Sequence, residues 1–301
     1  MFPSKGSAAG HLCSIDRLFR EAPSRPPEAL KTRKCTTPDV PDKLEQWTSY
    51  RGKYFSTRFG FAIFADYNAF WQDSDSIAQV GRQRDQWDDR STRFILSGSI
   101  GPESHQMFYF ASYAWNGFDA PQNKKATWEF TDLIVTAPVG PLGALTFGKT
   151  KEPFVYEMVG DAAFLPSLER VLVPFFTSRD VGISLSNTAF KKRMTYTSGW
   201  FNDWWVKGND FNTSGNHFAT RVTGLISTND DGSRYLHMGA SARYAGADDG
   251  VVRLRGRPEN NVATNYVDTG NIPASNQKQF ALEGLWTRDR YSILTEYSRS
   301  R

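Results

Sequence analysis

Apolar and polar residues alternate with a period of two along most of the chain from Tyr54 onward. The first such segment places Phe59, Phe61 and Ile63 on one parity and Arg58 on the other. Successive side chains of a β-strand point to opposite faces of the sheet, so this segment predicts a strand with one apolar and one polar face. Similar segments recur up to Tyr297, separated by clusters of Gly, Asn, Asp and Pro, and they predict about twelve strands.

The length and the spacing of these segments predict a membrane barrel. The predicted strands are long enough to cross a bilayer, and they are joined alternately by tight turns and by longer polar loops, which is typical of outer-membrane barrels. The longest charge-free apolar runs, such as Phe59 to Ala65 and Val171 to Phe176, are far shorter than the ~20 residues of a transmembrane helix. We therefore predict an all-β fold, an antiparallel transmembrane β-barrel, because a closed barrel is the other structure that can cross lipid.

Composition supports this interpretation. Aromatic residues form 14% of the chain, yet the mean hydropathy is −0.52. A barrel with aromatic belts toward lipid and a wet polar interior combines these two properties. The net charge of +4 is spread along the sequence and is not concentrated in the basic segment that nucleic-acid binding would favour.

The sequence offers no cofactor site and no catalytic motif. Its two cysteines, Cys13 and Cys35, stand in the N-terminal stretch, where they cannot cross-link the body of the fold. Without clustered histidines they make a poor metal site, and the sequence leaves both a disulfide between them and two free thiols as alternatives. No nucleophile elbow, Walker loop or His-Glu-x-x-His sequence is present. We expect neither an enzyme nor a bound cofactor.

The N-terminal stretch differs from the rest of the chain. Met1 to Lys34 lacks the apolar run of a signal peptide, and residues 21–34 carry three prolines among charges. We predict a disordered or non-native leader over residues 1–50 and a transmembrane β-barrel over residues 51–301. The barrel is expected to be incomplete at its C-terminus, because the chain stops directly after a strand.

Arginines on the polar parity are the candidate functional residues. Arg253, Arg255 and Arg257 alternate with Val252 and Leu254, so one strand would present three cations at ~6.6 Å intervals to the lumen. The alternative for this strand alone is a solvated basic face of an ordinary sheet. The same arrangement is predicted on other strands for Arg58, Arg93, Arg193, Arg221 and Arg243.

The alternation stops between Thr150 and Ser178. This stretch mixes apolar residues with charged ones, including Lys151 and Arg170, and such an amphipathic loop could fold into the lumen and narrow it. The alternative is an external loop. Lys149 and Lys151 follow the outward parity of their strand, so they would face the lumen only if the strand ended by Gly148.

Two stretches resemble one protein family. The first reads Leu-Thr-Phe-Gly-Lys-Thr-Lys-Glu-Pro-Phe from Leu145, then Leu-Glu-Arg, then Ser-Arg-Asp-Val-Gly-Ile; the second reads Arg-Leu-Arg-Gly-Arg-Pro-Glu from Arg253, then Tyr-Val-Asp-Thr-Gly. Over about Tyr54 to Tyr297 the chain is similar to the phosphate-selective porin O and P family. It departs from the family pattern at Glu152, where a small apolar residue is usual.

The resemblance implies a trimeric barrel of about sixteen strands, so roughly four strands would follow Arg301. It also implies diffusion of phosphate or other small anions across the bacterial outer membrane through a channel lined by Arg and Lys. The partners would be these anions, outer-membrane lipid and two further copies of the chain. The alternatives are a non-conducting structural or adhesive barrel and a non-functional fragment.

Overall fold

The fold is known from a computed structural model that describes residues 47–115, 128–160, 179–207, 215–247, 249–256, 260 and 262–301. The first ten strands of the main sheet are β1 Ser49–Arg51, β2 Phe55–Asn68, β3 Gln86–Ile100, β4 Met107–Trp115, β5 Trp128–Pro138, β6 Ala144–Lys151, β7 Arg179–Ala189, β8 Met194–Asn202, β9 Asn216–Thr228 and β10 Arg234–Gly246. Four short strands follow, β11 Val251–Val252, β12 Arg255–Gly256, β13 Val267–Asp268 and β14 Ile272–Pro273, and then β15 Asn276–Arg288 and β16 Tyr291–Ser300. The helices are α1 Ser74–Val80, α2 Tyr156–Val159 and α3 Trp204–Lys207, with 3₁₀ turns at Glu103–His105 and Gly140–Leu142.

Twelve strands form one antiparallel sheet, and each of them is hydrogen-bonded to the strand of this sheet that precedes or follows it in sequence. The order runs from β1 to β10 and continues with β15 and β16. The predicted all-β antiparallel fold is confirmed. Within the described residues, the two edge strands β1 and β16 are not hydrogen-bonded to each other. Residues 1–46 lie outside the described part of the chain, so the division at residue 50 stays a prediction.

The two faces of the sheet have opposite chemistry. On one face of β2, Phe59, Phe61 and Ile63 are 45%, 52% and 61% exposed. On the other face, hydroxyls pair across strands, as between Ser56 and Ser99 at 2.6 Å. A soluble protein buries its apolar face, whereas this sheet exposes it, as a sheet in lipid must. No helix in the described part of the chain is long and apolar enough to cross a membrane.

The connections divide the sheet into two rims. The tight-turn rim carries short connections such as residues 190–193, 229–233 and 289–290, and the long-loop rim is where the chain passes from β2 to β3, from β6 to β7, from β8 to β9 and from β10 to β15. In bacterial outer-membrane barrels the short turns are periplasmic and the long loops are extracellular. We therefore expect the long-loop rim to be the extracellular end.

The segment around Arg253 is not a wall strand, and this prediction is wrong. Its short strands β11 and β12 pair with β14 and β13 in two separate two-stranded sheets. They form a mouth hairpin that extends β10 and β15 beyond the sheet, where Ala247 donates to the carbonyl of Ser275 at 3.0 Å. The wall strand β10 already ends at Gly246, and its partner is β15, so no place in the wall remains for this segment.

The mouth hairpin reaches across the long-loop rim. Gln83, which follows α1 in the connection between β2 and β3, donates to the Thr264 hydroxyl at 3.1 Å. Thr264 in turn donates to the carbonyl of Val80 at 3.4 Å. Strands near the two ends of the sheet thus have connections that touch, which requires the sheet to be strongly curved.

Candidate functional site

The chain leaves β6 and lies on the polar face of the sheet from Glu152 to Gly160; we call this stretch the anchored segment. The backbone N–H of Val155 donates to the Ser241 hydroxyl on β10 at 3.3 Å. The N–H groups of Tyr156 and Glu157 donate to the Glu296 carboxylate on β16 at 2.5 and 3.2 Å. A carboxylate thus satisfies donors at the start of α2 that have no partner within the helix. This connection folds inward over its described part, as the sequence predicts.

Apolar packing also holds the anchored segment. Phe154, Val155 and Met158 are each only 1% exposed and form one buried cluster with Ala281 of β15. Ala281 is a small residue on the polar face, so it leaves space for these three side chains. In the described residues this is the one buried apolar cluster, and it stands on the mostly polar face of the sheet.

Beside this cluster lies a buried charge network, the Arg243 network, formed by Glu152, Asp180, His217, Arg243 and Gln279. The Arg243 guanidinium donates to both carboxylate oxygens of Glu152, and it also donates to Gln279 Oε1 at 3.1 Å. His217 Nδ1 lies 2.8 Å from Glu152 Oε1 and 3.1 Å from Asp180 Oδ2. Every member is buried, and Glu152 is completely so.

The electrostatics keep Glu152 ionised despite its burial. Burial raises the pKa of this carboxyl, but the charges and hydrogen bonds of Arg243 and His217 outweigh it and bring the pKa below the ordinary value. The ligand atoms of Glu152, Asp180 and His217 lie within 4.8 Å of one another, which is compact enough for a metal ion. The guanidinium already holds both Glu152 oxygens, so the network has an internal cation in the place that a metal would take.

A second ion cluster lies on the same face. Arg221 of β9 donates to the two carboxylate oxygens of Glu283 at 2.9 and 2.6 Å, and His237 Nε2 lies 2.7 Å from Glu283 Oε1. Arg179 of β7 pairs with Asp132 of β5 at 2.9 Å. Several arginines of this face therefore have a carboxylate partner.

The other arginines predicted on wall strands have different surroundings. Arg93 donates to the Ser91 hydroxyl at 2.9 Å and lies 5.9 Å from the centre of the Phe64 ring. Arg58 is exposed and stands opposite Ser97 in the register of β2 and β3. Arg193 is not in a strand: it lies in the turn before β8 and donates to the carbonyls of Leu225 and Ile226.

The lysines at the end of β6 are occupied by backbone contacts. The strand continues to Lys151, but Gly148 has a φ of +128°, which only glycine adopts readily and which interrupts the alternation. Lys149 is 1% exposed and donates to the carbonyl of Phe130 at 2.7 Å. Lys151 donates to the carbonyl of Gly160 at 2.9 Å and so links the two ends of the anchored segment.

Four further predictions concern the mouth hairpin and the connection after β6. Arg253 and Arg255 are exposed on the hairpin, and Arg253 forms a two-pronged ion pair with Asp268 at 2.8 and 2.5 Å. That pair lowers the pKa of Asp268 to about 2. Arg257 and Arg170 lie outside the described residues.

Sequence reasoning missed most of the Arg243 network. Arg243 was predicted on the polar face, but its partners Glu152, Asp180 and Gln279 were not. The one available signal was Glu152 itself, because a charged residue stands where the resembled family has a small apolar one. A buried charge requires a partner, and the guanidinium that pairs with Glu152 belongs to Arg243, 91 residues away in sequence.

Comparison with known proteins agrees with the fold. The sequence pattern of the family described as phosphate-selective porin O and P matches residues 61–301. No curated protein matches the chain. Porins are channels of the bacterial outer membrane, and an exposed apolar face around a polar one is the surface such a channel needs. The match covers most of the sequence, and the chain belongs to the phosphate-selective porin O and P family.

Proposed function

We propose that the chain forms a passive pore for phosphate and other small anions across the outer membrane. The observation that carries the proposal is the anchored segment, which lies on the polar face and is held there by Glu296, by Arg243 and by the cluster around Ala281. A connection fixed on the inner face narrows the passage while the surrounding wall stays polar. Family membership supports phosphate as the leading substrate.

The pore lining in this proposal is cationic but partly neutralised. We place these predicted residues along it: Arg58, Arg93, Lys151, Arg221 and Arg243. Arg221 and Arg243 are bonded to carboxylates, so their charge is largely balanced and they help to position the wall. Arg58 is the best candidate for attracting anions, because its exposed side chain has no hydrogen bond or ion pair with the described residues.

The surroundings of Arg58 suit a phosphate. The hydroxyls of Ser56 and Ser99 are bonded to each other on the same face, and Ser97 stands opposite Arg58 in the register. A guanidinium offers paired N–H donors that match phosphate oxygens, and neighbouring hydroxyls replace part of the water that an anion loses in a narrow passage. On the mouth hairpin, exposed Arg255 would add to the local concentration of anions by long-range attraction.

The test is reconstitution of the protein in planar bilayers under a salt gradient. We expect a reversal potential of the sign for anion preference and a smaller one for Arg58→Gln. The matched control is Arg193→Gln, since Arg193 lies in a tight turn and donates to backbone carbonyls. Cation preference of the unchanged protein would overturn the proposal, and a folded, inserted protein without conductance would favour a structural or adhesive role.

The proposal includes assembly as a homotrimer, which the family resemblance implies. Light scattering of the purified protein, with the detergent contribution subtracted, gives the mass of the assembly. A monomeric mass would overturn the trimer proposal and leave the pore proposal to the bilayer measurement.

A further inference from the structure

The apolar face of the sheet carries an aromatic row near the long-loop rim. Trp200 of β8, Phe218 of β9 and Tyr244 of β10 are direct neighbours in the register, and all three are at least 40% exposed. Aromatic side chains collect at the depth where lipid tails meet headgroups. The row therefore marks the headgroup region at this rim.

The row continues onto the last two strands with cations in place of aromatics. Lys278 of β15 stands opposite Tyr244, and Lys278 and Arg301 exchange backbone hydrogen bonds of 2.8 Å. One step nearer the middle of the membrane, Arg299 stands opposite Phe280. We call Lys278, Arg299 and Arg301 the rim cation patch.

The three side chains of the rim cation patch point to the lipid side. Arg299 and Arg301 have the parity of Ile293 and Tyr297, and Lys278 has the parity of Phe280, all of them exposed. Outward side chains that are neighbours across strands stand ~5 Å apart, and those along one strand ~7 Å. Three positive charges thus share one small area, and within the described residues none of the three side chains has a hydrogen bond or an ion pair.

The opposite rim supplies a comparison. There Arg234 and Arg288 face each other on the same side of β10 and β15, but Asp289 lies 3.5 Å from Arg234. The protein itself thus offsets part of the charge at the tight-turn rim. At the long-loop rim no Asp or Glu side chain of the described residues forms an ion pair with the patch.

We propose that the rim cation patch binds the phosphate groups of lipid headgroups in the leaflet at the long-loop rim. A charge on the lipid side is unfavourable in mid-membrane and tolerated near the interface, where long side chains extend toward the headgroups. Clustered Lys and Arg at that depth attract anionic lipid, and guanidinium groups pair with phosphate through two hydrogen bonds. This site lies on the outside of the sheet and does not depend on the proposed pore.

Spin-labelled phosphatidic acid in phosphatidylcholine vesicles tests this proposal with the full chain inserted. Electron paramagnetic resonance measures the share of labelled lipid that the protein immobilises. We expect preference for phosphatidic acid over labelled diacylglycerol, which lacks the phosphate. The triple variant Lys278→Gln, Arg299→Gln and Arg301→Gln should weaken that preference by ~5-fold or more, given the usual strength of one basic residue at an anionic surface.

The matched control is the double variant Arg234→Gln and Arg288→Gln at the other rim, which should retain most of the preference. Equal losses in both variants would overturn the proposal, since the effect would then follow net charge alone. Displacement of the labelled lipid by inorganic phosphate would identify a free-phosphate site instead. A change in the mass of the assembly with unchanged lipid preference would assign the patch to contact between copies of the chain.

Discussion

Arg243 and Arg253 are both arginines bonded to both oxygens of one carboxylate, yet they lie in opposite environments. Arg243 is 5% exposed and joins wall strand β10 to the anchored segment. Arg253 is exposed and joins two sides of the mouth hairpin. The buried pair of Arg243 therefore has a structural role, whereas the exposed pair of Arg253 contributes very little to stability. A charge removed from water depends on its partner far more than a solvated charge does.

The largest effect is expected from Arg243→Met. This change leaves the Glu152 carboxylate buried without its main cation, and breaking a buried pair in this way costs about 3–5 kcal/mol. Urea unfolding in detergent micelles, followed by tryptophan fluorescence, measures the loss. The double variant with Glu152→Gln should recover part of it, and no recovery would mean that Arg243 acts through its packing.

Removing the apolar anchor should have a similar or somewhat smaller effect. Met158 is 1% exposed in the cluster with Ala281, and Met158→Ala in a well-packed site costs roughly 2–5 kcal/mol. The anchored segment should become accessible to protease in the native protein. A segment as resistant as in the unchanged protein would show that the ion pair alone holds it, which would sharpen the contrast between charge and packing.

A smaller loss is expected from Arg221→Gln. Glu283 keeps its contact with His237 at 2.7 Å, so the carboxylate is not left alone, and losing the guanidinium should cost about 1.5–3 kcal/mol. The same unfolding measurement applies. A loss of stability as large as that of Arg243→Met would mean that His237 does not replace the missing guanidinium as a partner of Glu283. The difference in burial between the two clusters would then not explain their contributions to stability.

The smallest effect is expected from Arg253→Gln on the mouth hairpin, where the unfolding midpoint should not change measurably. The hydrogen bonds from Arg253 hold the pKa of Asp268 at about 2, below its usual value. Because the pKa of Asp268 is lowered, the ion pair stabilises the hairpin fully at pH values above the ordinary carboxyl pKa. This small stabilisation is lost as the pH falls through about 2 and Asp268 becomes protonated. Carbon NMR of Asp268 should show its titration move up toward the ordinary range in the variant, and an unmoved titration would contradict this assignment.

Local alternation predicted the wall strands well because each residue's face depends on its own strand. Phe59 and Arg58 lie on the faces that their parity indicates. The same rule failed at Arg253 because parity says nothing about the partner strand. Val252 and Leu254 alternate with arginines in a hairpin just as they would in a wall, and the difference lies in pairing with Ile272 and Thr269.

The buried network lay beyond sequence reasoning for a related reason. His217 is 65 residues from Glu152 in sequence, and Glu296 is 140 residues from Tyr156. Such contacts depend on how far the sheet curves and on where the connection after β6 crosses it. Neither is encoded in a local pattern, whereas the tendency of that connection to fold inward could be predicted from its mixture of apolar and charged residues.

The distance in sequence between Tyr156 and Glu296 has a consequence for how the protein assembles. Contacts between remote parts of a chain close large loops and form late. The carboxylate that secures the start of α2 belongs to β16, the last strand described. We therefore expect the start of α2 to become fixed on the polar face only after β16 has joined the sheet.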